Sequence, residues 1–335
     1  MAVKSFREAI NEALDQEMQR DPRIVLIGED IAGGTGGTGE QDAWGGVMGV
    51  TKGLLGKYGP DRVLDTPISE MSYIGAAVGA AATGLRPVAE LMFCDFAGMC
   101  FDQIMNQAAK FRYMFGGKAE MPLVIRTQCG AGFAASAQHS QTLHALFTHI
   151  PGLKVVMPAT PYDAKGLLVE AIRGEDPVIF FENKVMYDDQ GEVPDAPYRL
   201  AFGEANFTHD GGDVTICALG RMANLAGQAA EHLAGQGVAC TVIDLRTASP
   251  LDETSICESV EETGRLVVVD EGSPRCGLAA DIAALVATRA LKHLRAPVRL
   301  VTPPHTPVPF APVLEALYIP DVARIVTAVK EVLHG

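Results

Sequence analysis

Glu70 is an acidic residue in the setting of a catalytic group, within the segment Asp65-Thr-Pro-Ile-Ser-Glu-Met-Ser. A buried strand is predicted to end at Asp65, Pro67 interrupts regular structure, and Glu70 is expected at the start of a helix. Such a junction is the carboxyl edge of a parallel sheet, where α/β enzymes bind their ligands. The alternative is an ordinary acidic residue that the helix dipole favours.

The helix predicted after Glu70 contains almost no large side chains, because Gly75–Gly84 reads Gly-Ala-Ala-Val-Gly-Ala-Ala-Ala-Thr-Gly. Glycine within a helix lowers its stability, so a run this small indicates close packing against another helix or chain. We therefore expect an interface beside Glu70.

His139 is predicted to face a cleft, within Ala137-Gln-His-Ser-Gln141. It follows the predicted strand Pro122–Thr127 in a loop of small residues, and imidazole is the side chain best able to move protons near neutral pH. The two histidines that follow are spaced by five residues and fall on different helix faces. No HExxH motif is present, which argues against zinc, and Ser140 lacks the GxSxG context of a serine hydrolase.

A glycine pattern at Gly34–Gly39 matches GxGxxG and raises the alternative of an NAD-dependent oxidoreductase. That motif requires its last glycine to open a helix that holds the pyrophosphate. The residues after it have no helical periodicity, so we interpret Gly33–Gly49 as a surface or active-site loop. Trp44, the only tryptophan, is expected to line a pocket or a subunit contact there.

Composition narrows the class of protein. The chain has 335 residues, a net charge of −14 and no basic cluster, which argues against nucleic-acid binding. No apolar run is long enough to span a bilayer, and the N-terminus has no signal-peptide pattern. The seven cysteines are odd in number and form no CxxC pair, which favours free thiols in a reducing cytoplasm.

Apolar runs alternate with amphipathic stretches, and their continuous hydrophobicity is typical of parallel strands covered on both faces. The predicted strands are Ile24–Ile27, Arg62–Asp65, Pro87–Phe93, Pro122–Thr127, Lys154–Met157, Val178–Glu182, Val214–Leu219, Ala239–Leu245, Leu266–Asp270 and Val298–Val301. The predicted helices are Phe6–Met18 with Ser5 as its cap, Met71–Thr83, Met99–Met114, Tyr162–Arg173 and Ala223–Ala234. The pattern predicts two doubly wound α/β domains, at 1–190 and 204–335, with a linker at 191–203.

Several blocks together resemble the β subunits of 2-oxoacid dehydrogenase E1 components, members of the transketolase-like superfamily that uses thiamine diphosphate. The blocks are Arg62–Glu70, Gly84–Glu90, Phe101–Gln103, Asn106–Lys110, Ala137–Gln141 and Pro151–Val155. The resemblance covers nearly the whole chain. It implies a pyrimidine-binding N-terminal domain and a transketolase C-terminal domain.

The resemblance also assigns residues. It implies that Glu70 activates the cofactor by hydrogen bonding to its aminopyrimidine ring. Phe96 matches the aromatic residue that stacks on the ring, and Ile68 and Met92 match apolar contacts. His139 matches an active-site histidine that handles substrate protons or the incoming lipoyl group.

Two further cofactor expectations come from the family. The diphosphate- and magnesium-binding motif, GDG followed by a distant asparagine, is missing from this chain. The resemblance implies that a separate α subunit carries it in an α2β2 tetramer. A structural potassium ion is implied at positions that match a site in some relatives: Leu123, Ala171, Ile172, Gly174 and Asp176.

The substrate expectation depends on one loop. Gly33–Leu54 is longer than in most pyruvate-type β subunits and resembles the loop of acetoin dehydrogenase β subunits. The implied reaction cleaves acetoin, releases acetaldehyde and passes the two-carbon unit to the lipoyl group of an E2 acyltransferase. Pyruvate dehydrogenase E1 is the alternative substrate class. A non-catalytic assembly subunit is the alternative from a different class.

Overall fold

The computed structural model describes residues 1–32 and 45–334. The described residues divide into two compact units. The first comprises Met1–Cys129, Leu146–Val156 and Thr160–Ala201, and the second comprises Gly130–Ala145, Met157–Ala159 and the residues from Phe202 onward. The segment that contains His139 therefore belongs to the same unit as the C-terminal residues. The sequence predicted two domains that are each continuous in the chain, with His139 in the first.

The first unit is built on a parallel sheet. The strands described in this unit are β1 (Ala2–Ser5), β2 (Ile24–Glu29), β3 (Val63–Thr66), β4 (Arg86–Phe93), β5 (Val124–Cys129), β6 (Lys154–Val156), β7 (Val178–Asn183) and β8 (Gln190–Val193). Six of them are hydrogen-bonded in the order β6-β7-β5-β4-β2-β3, and each neighbouring pair is parallel. β1 and β8 form a separate antiparallel pair, so part of the predicted linker is a strand.

The helices of the first unit are α1 (Phe6–Arg20), α2 (Leu54–Tyr58), α3 (Glu70–Ala82), α4 (Ala109–Met114) and α6 (Pro161–Arg173), and the short α5 (His144–Thr148) has residues in both units. α1 begins as predicted, at a capping box in which Ser5 and Glu8 exchange side-chain and backbone hydrogen bonds. Its apolar residues recur every four positions, and Phe6, Ile10 and Leu14 are fully buried. Burial of that face therefore fixes the helix on the sheet.

The helix predicted at Met99–Met114 is present over residues 101–114, but it includes a π-helical turn that the pattern did not predict. The chain forms a 3₁₀ turn at Cys94–Met99, a π-helical turn at Gln103–Ala108 and the α-helix α4. The Asp102 carboxylate accepts hydrogen bonds from the side chains of Asn106, at 2.6 Å, and Gln107, at 3.5 Å. Hydrophobic periodicity changes little when one residue is added to a turn, which explains why the pattern missed the wider coil.

The second unit has its own sheet and core. Its strands are β9 (Asn206–His209), β10 (Val214–Ala218), β11 (Cys240–Asp244), β12 (Thr247–Ser249), β13 (Leu266–Val269) and β14 (Arg299–Val301), and its helices are α7 (Arg221–Ala234), α8 (Glu253–Thr263), α9 (Leu278–Arg289), α10 (Pro312–Tyr318) and α11 (Val322–His334). The order is β14-β13-β10-β11-β9, parallel except for the edge strand β9. Side chains of β10, α7 and α11 meet in one apolar core. The predicted α/β class is confirmed for both units, and the antiparallel edge was not foreseen.

Two expectations from composition can be compared with the structure. Within the residues that it describes, no helix is long and apolar enough to cross a membrane. All seven cysteines are free thiols, and five of them are buried.

Candidate functional site

Three neighbouring strands of the first unit end close to the start of α3. β4, β2 and β3 lie side by side, and the register pairs Glu29, the last residue of β2, with Thr66 at the end of β3. Carboxyl ends of adjacent parallel strands meet at one edge of a sheet. Glu29, Glu70 and the residues after β4 therefore share an edge, as predicted for Glu70.

Glu70 is a buried carboxylate, 8% exposed, at the first position of α3. The helix N-terminus favours negative charge at this position. No residue within 1–32 or 45–334 donates a hydrogen bond to its side chain. A buried carboxylate without a donor is costly, so the arrangement suits a bound group that brings its own ring nitrogen or N–H.

The charge of Glu70 acts on three neighbouring groups. Burial raises the pKa of Glu29, and the carboxylates of Asp30 and Glu70 raise it further. Burial raises the pKa of Cys100 to about 12, with a contribution from Glu70. Burial, and then Glu70, raise the pKa of Tyr73 far above its ordinary value, so its hydroxyl stays protonated. The edge therefore has acidic groups in close proximity, and Glu29 holds its proton to a higher pH than an exposed glutamate.

The three residues that were matched to ring contacts differ in exposure. Phe96 lies in the turn after β4, is half-buried, and packs edge-on against Phe93 with 5.6 Å between ring centroids. Met92 is 8% exposed in β4, whereas Ile68 is 75% exposed. Ile68 is thus available only to a group bound at the surface of this unit. The roles of these three residues stay predictions.

One face of α3 consists of small exposed residues. Ser72, Ala76, Gly79 and Thr83 recur at intervals of three or four and are exposed. A Cβ atom added at Gly79 would meet nothing within 4 Å. Packing within the described chain therefore does not require glycine at this position, and the face can be approached closely by another chain.

A buried ionic network joins the adjacent strands β4, β5 and β7. Arg126 donates to both carboxylate oxygens of Glu182, at 2.6 and 2.8 Å, and to Glu90 at 2.8 Å. The Tyr187 hydroxyl donates to Glu182 at 2.6 Å. Burial raises the pKa of Glu90, although Arg126 opposes the shift. Two carboxylates share one guanidinium, so the network is held together by Arg126.

His139 belongs to the second unit, whereas Glu70 belongs to the first. It ends the short 3₁₀ turn Ala137–His139 and is half-buried. Its backbone N–H donates to the carbonyl of Ser136 at 3.3 Å. The predicted small-residue loop is present, and the catalytic role of His139 stays a prediction.

A buried ion pair lies within the second unit, between His144 Nε2 and Asp270 Oδ1, at 3.2 Å. Burial acts to lower the pKa of His144, but the Asp270 carboxylate outweighs it and the net pKa is raised. Burial acts to raise the pKa of Asp270, but His144 and the Gly272 N–H outweigh it and the net pKa is lowered. Each shift favours the charged form of its group.

Neither Glu29 nor Asp270 was predicted as a functional residue. Asp270 ends a predicted strand and Glu29 lies two residues beyond the end of another, positions similar to the one that singled out Glu70. The rule that strand ends carry chemistry, applied to every strand, would have found both.

Two of the carbonyl groups that were matched to a potassium site already have a cationic donor. Arg86 Nε and Nη2 donate to the carbonyl of Ile172 at 3.0 and 2.9 Å, and Nη2 also donates to the carbonyl of Gly174. Asp176 pairs with Arg112 at 2.7 Å and with Lys154 at 3.1 Å. A potassium ion would have to use the remaining lone pairs of these carbonyls.

Two predictions lie outside the described residues: the GxGxxG segment at Gly34–Gly39 and the position of Trp44. Among the residues that the structure does describe, no group of three or more His, Cys, Asp or Glu side chains could hold a metal ion.

Comparison with known proteins places the chain in a family. The model "Transketolase, pyrimidine binding domain" matches residues 3–190, and "Transketolase, C-terminal domain" matches residues 203–325. A solved structure described as "Split gene transketolase, inactive beta4 tetramer" superposes with a TM-score of 0.78 at 26% identity, over 98% of each chain. The chain is a member of the transketolase family, with the pyrimidine-binding and C-terminal domains in that order.

Within this family, the chain is similar to the β subunits of acetoin oxidoreductases and of pyruvate dehydrogenases. The chain is 62% identical to the acetoin:2,6-dichlorophenolindophenol oxidoreductase subunit beta of Cupriavidus necator, over 99% of this chain and 98% of that one. It is 56% identical to the protein of the same name from Bacillus subtilis, over 99% and 97%. A pyruvate dehydrogenase E1 component subunit beta, from Rickettsia felis, is 43% identical over 98% of both chains.

Proposed function

We propose that this chain is the β subunit of a thiamine-diphosphate-dependent E1 component that cleaves acetoin. Identities of 62% and 56% to acetoin oxidoreductase β subunits, against 43% to a pyruvate dehydrogenase β subunit, support acetoin as the substrate. The observation that carries the cofactor assignment is Glu70, a buried carboxylate at a sheet edge with no donor among the described residues.

Glu70 would hold the pyrimidine ring by accepting a hydrogen bond from a ring nitrogen. A carboxylate in a low-dielectric site favours the protonated form of that nitrogen, and through the conjugated ring this primes the amino group of the same ring as a base. When bound, thiamine diphosphate would supply a nucleophilic carbon for the substrate carbonyl and a cationic ring that takes up the electrons of the cleaved carbon–carbon bond. Phe96 would stack on the ring, with Met92 and Ile68 as apolar contacts.

His139 would move a proton during cleavage of acetoin or during transfer of the two-carbon unit to a lipoyl group. Its imidazole is suited to either step near neutral pH. The second product is acetaldehyde, and the proposed acceptor is a lipoyl-bearing E2 acyltransferase.

The proposed partner is an α subunit in an α2β2 tetramer, which holds the diphosphate and Mg²⁺. The exposed small-residue face of α3, beside Glu70, supports a close contact with another chain. The absence of a GDG motif from the sequence supports the division of the cofactor site. The related structure is described as an inactive β4 tetramer, which agrees with a requirement for a second kind of chain.

A structural potassium ion is proposed at Leu123, Ala171, Ile172, Gly174 and Asp176, where it would share two carbonyls with Arg86, which already donates to them. Thermal unfolding in potassium chloride and in choline chloride, at equal ionic strength, tests it. A Tm that is higher in potassium supports the ion, and equal Tm values contradict it. The seven free cysteines support the proposed cytoplasmic location.

The decisive experiment is turnover of the reconstituted two-chain component with 2,6-dichlorophenolindophenol as electron acceptor. Glu70→Ala should lower kcat by about 10²- to 10⁴-fold, the usual contribution of an acid–base group. Glu192→Gln, an exposed change in β8, is the matched control and should keep full activity. Retention of turnover in Glu70→Ala would refute the cofactor assignment.

Pyruvate is the second candidate substrate, because pyruvate dehydrogenase β subunits match over nearly the whole chain. The same reconstituted component, assayed with acetoin and pyruvate side by side, decides between them. A higher kcat/KM for pyruvate would overturn the substrate proposal and leave the role of Glu70 intact.

A further inference from the structure

The loop before His139 has an uncommon backbone. Positive φ angles occur at alternate residues: 94° at Gly130, 108° at Gly132, 49° at Ala134 and 74° at Ser136. Glycine adopts such angles readily, but residues with a Cβ atom rarely do. Interactions outside the loop must therefore stabilise Ala134 and Ser136 in this conformation.

Apolar burial does not provide that stabilisation. Residues 130–136 contain one large side chain, Phe133, and it is 54% exposed. Ala131 is buried, but a single methyl group contributes little area. Polar contacts must hold the loop instead.

The carboxylate of Glu315 supplies those contacts. One of its oxygens accepts the N–H of Gly132 at 2.8 Å, and the other accepts the N–H of Ala134 at 2.9 Å. Glu315 lies in α10 and is only 3% exposed. Backbone N–H groups that converge in such an alternating conformation form a concavity suited to an anion, and here the anion is a side chain of the same chain. Hydrogen bonds to a carboxylate are roughly twice as strong as neutral ones.

Two further contacts fix the start of the loop. Glu271 Oε1 accepts the N–H of Ala131 at 2.9 Å, and the N–H of Gly130 donates to the carbonyl of Gln141 at 3.0 Å. The loop is thus closed on itself around His139. Of these contacts, only the one to Glu315 uses both oxygens of a carboxylate on two N–H groups of the loop.

We propose that Glu315 is a positioning residue, whose carboxylate fixes the backbone of residues 130–136 and thereby the place of His139. The inference rests on the proposed function, because that function gives His139 its role. Glu315 itself does not meet the substrate or the cofactor in this proposal.

Amide hydrogen exchange on the complete α/β component tests whether Glu315 fixes the backbone of residues 130–136. Glu315→Gln keeps the size of the side chain but replaces one acceptor oxygen with an NH₂ group, which cannot accept a hydrogen bond. The peptide that covers residues 130–139 should then exchange at least about tenfold faster, the usual effect of a lost charged hydrogen bond. Glu253→Gln, which removes an exposed partner of Arg289 in the same unit, is the matched control and should leave this peptide unchanged. Unchanged exchange in Glu315→Gln would overturn the proposal.

A double-mutant cycle, with acetoin as substrate and a lipoyl domain as acceptor, tests whether Glu315 affects turnover through His139. Glu315→Gln should lower kcat about tenfold or more, because small displacements of a catalytic group are costly. In a His139→Gln background the same change should alter kcat by less than about twofold, because it acts through a group that is already removed. If the fold-losses of kcat in Glu315→Gln and His139→Gln multiply in the double variant, then Glu315 acts independently of His139, which would overturn the positioning role.

Failure of the proposed function gives a different result. If His139→Gln alone keeps full turnover, then His139 is not catalytic, and the positioning role is overturned whatever the exchange experiment shows. If His139→Gln is impaired but Glu315→Gln is normal in both assays, only the positioning inference fails.

Discussion

Replacement of Arg126 by Met should be among the most destabilising single changes in the first unit. Arg126 is 2% exposed and is the only cation within hydrogen-bond distance of Glu90 and Glu182 among the described residues. Its removal leaves two buried carboxylates uncompensated, and breaking a buried ion pair from one side costs about 3–5 kcal/mol. At about 2–4 °C per kcal/mol for a unit of this size, Tm should fall by about 6–20 °C.

The pH dependence identifies the cause of that loss. Burial raises the pKa of Glu90, and Arg126→Met removes the cation that opposes this shift, so the folded-state pKa of Glu90 lies further above its unfolded-state value. The unfavourable contribution of this carboxylate is therefore complete above the folded-state pKa, and it disappears as the pH falls toward the unfolded-state pKa. Calorimetry of wild type and variant at pH 5 and pH 8 should show the smaller difference at pH 5.

Two controls separate charge from packing. Adding Glu90→Gln and Glu182→Gln to Arg126→Met should recover much of the lost stability, since no uncompensated charge remains. Tyr187→Phe removes one hydrogen bond from the network and should cost only about 1–3 kcal/mol. A loss in Arg126→Met below about 1 kcal/mol, or one that does not vary with pH, would refute the electrostatic explanation.

Three smaller predictions follow from local geometry. Ser5→Ala should lower the free energy of unfolding by about 0.5–2 kcal/mol through loss of the helix cap, measured by urea denaturation against Ser5→Thr, which should lose less. Gly152→Ala should prevent accumulation of folded protein, because Gly152 has a φ of 103° and the new Cβ would overlap the carbonyl oxygen of Ala109; soluble, normally stable protein would contradict this. The His144–Asp270 pair should add stability between the unfolded-state pKa values of its partners, about 3.9 and 6.5, and should lose it as pH rises through the raised pKa of His144 or falls through the lowered pKa of Asp270. His144→Gln should therefore flatten the decline of Tm above pH 6.5, and an unchanged pH profile would argue against a charged pair.

The parts of the fold that were predictable are those in which one local pattern decides the outcome. The capped helix α1 required only Ser5 and an apolar residue at every fourth position, and both signals agree with its packing. Buried parallel strands were equally clear, because both of their faces are apolar. In contrast, the antiparallel strands β1, β8 and β9 are short and partly exposed, so hydrophobicity alone gave no sign of them.

The residues of the candidate site also differ in whether a local sequence pattern reveals them. Glu70 was found because a strand, a proline and a helix start follow one another within a few residues. Glu315 was not found, because its function depends on two N–H groups that are more than 180 residues away in sequence. No local pattern records such a contact, and in the sequence a glutamate within an amphipathic helix cannot be told from an ordinary surface residue. Contacts of that kind become visible only in three dimensions.

At Glu70, the stability of the fold and the proposed chemistry favour different residues. A carboxylate that is only 8% exposed, with no donor among the described residues, weakens the folded protein until a ligand supplies one. A library screened only for heat resistance should therefore accumulate uncharged residues at this position and lose turnover as it gains tolerance to heat. In the proposed function the residue that opposes folding is retained for its chemistry, and the surrounding sheet must be stable enough to carry it.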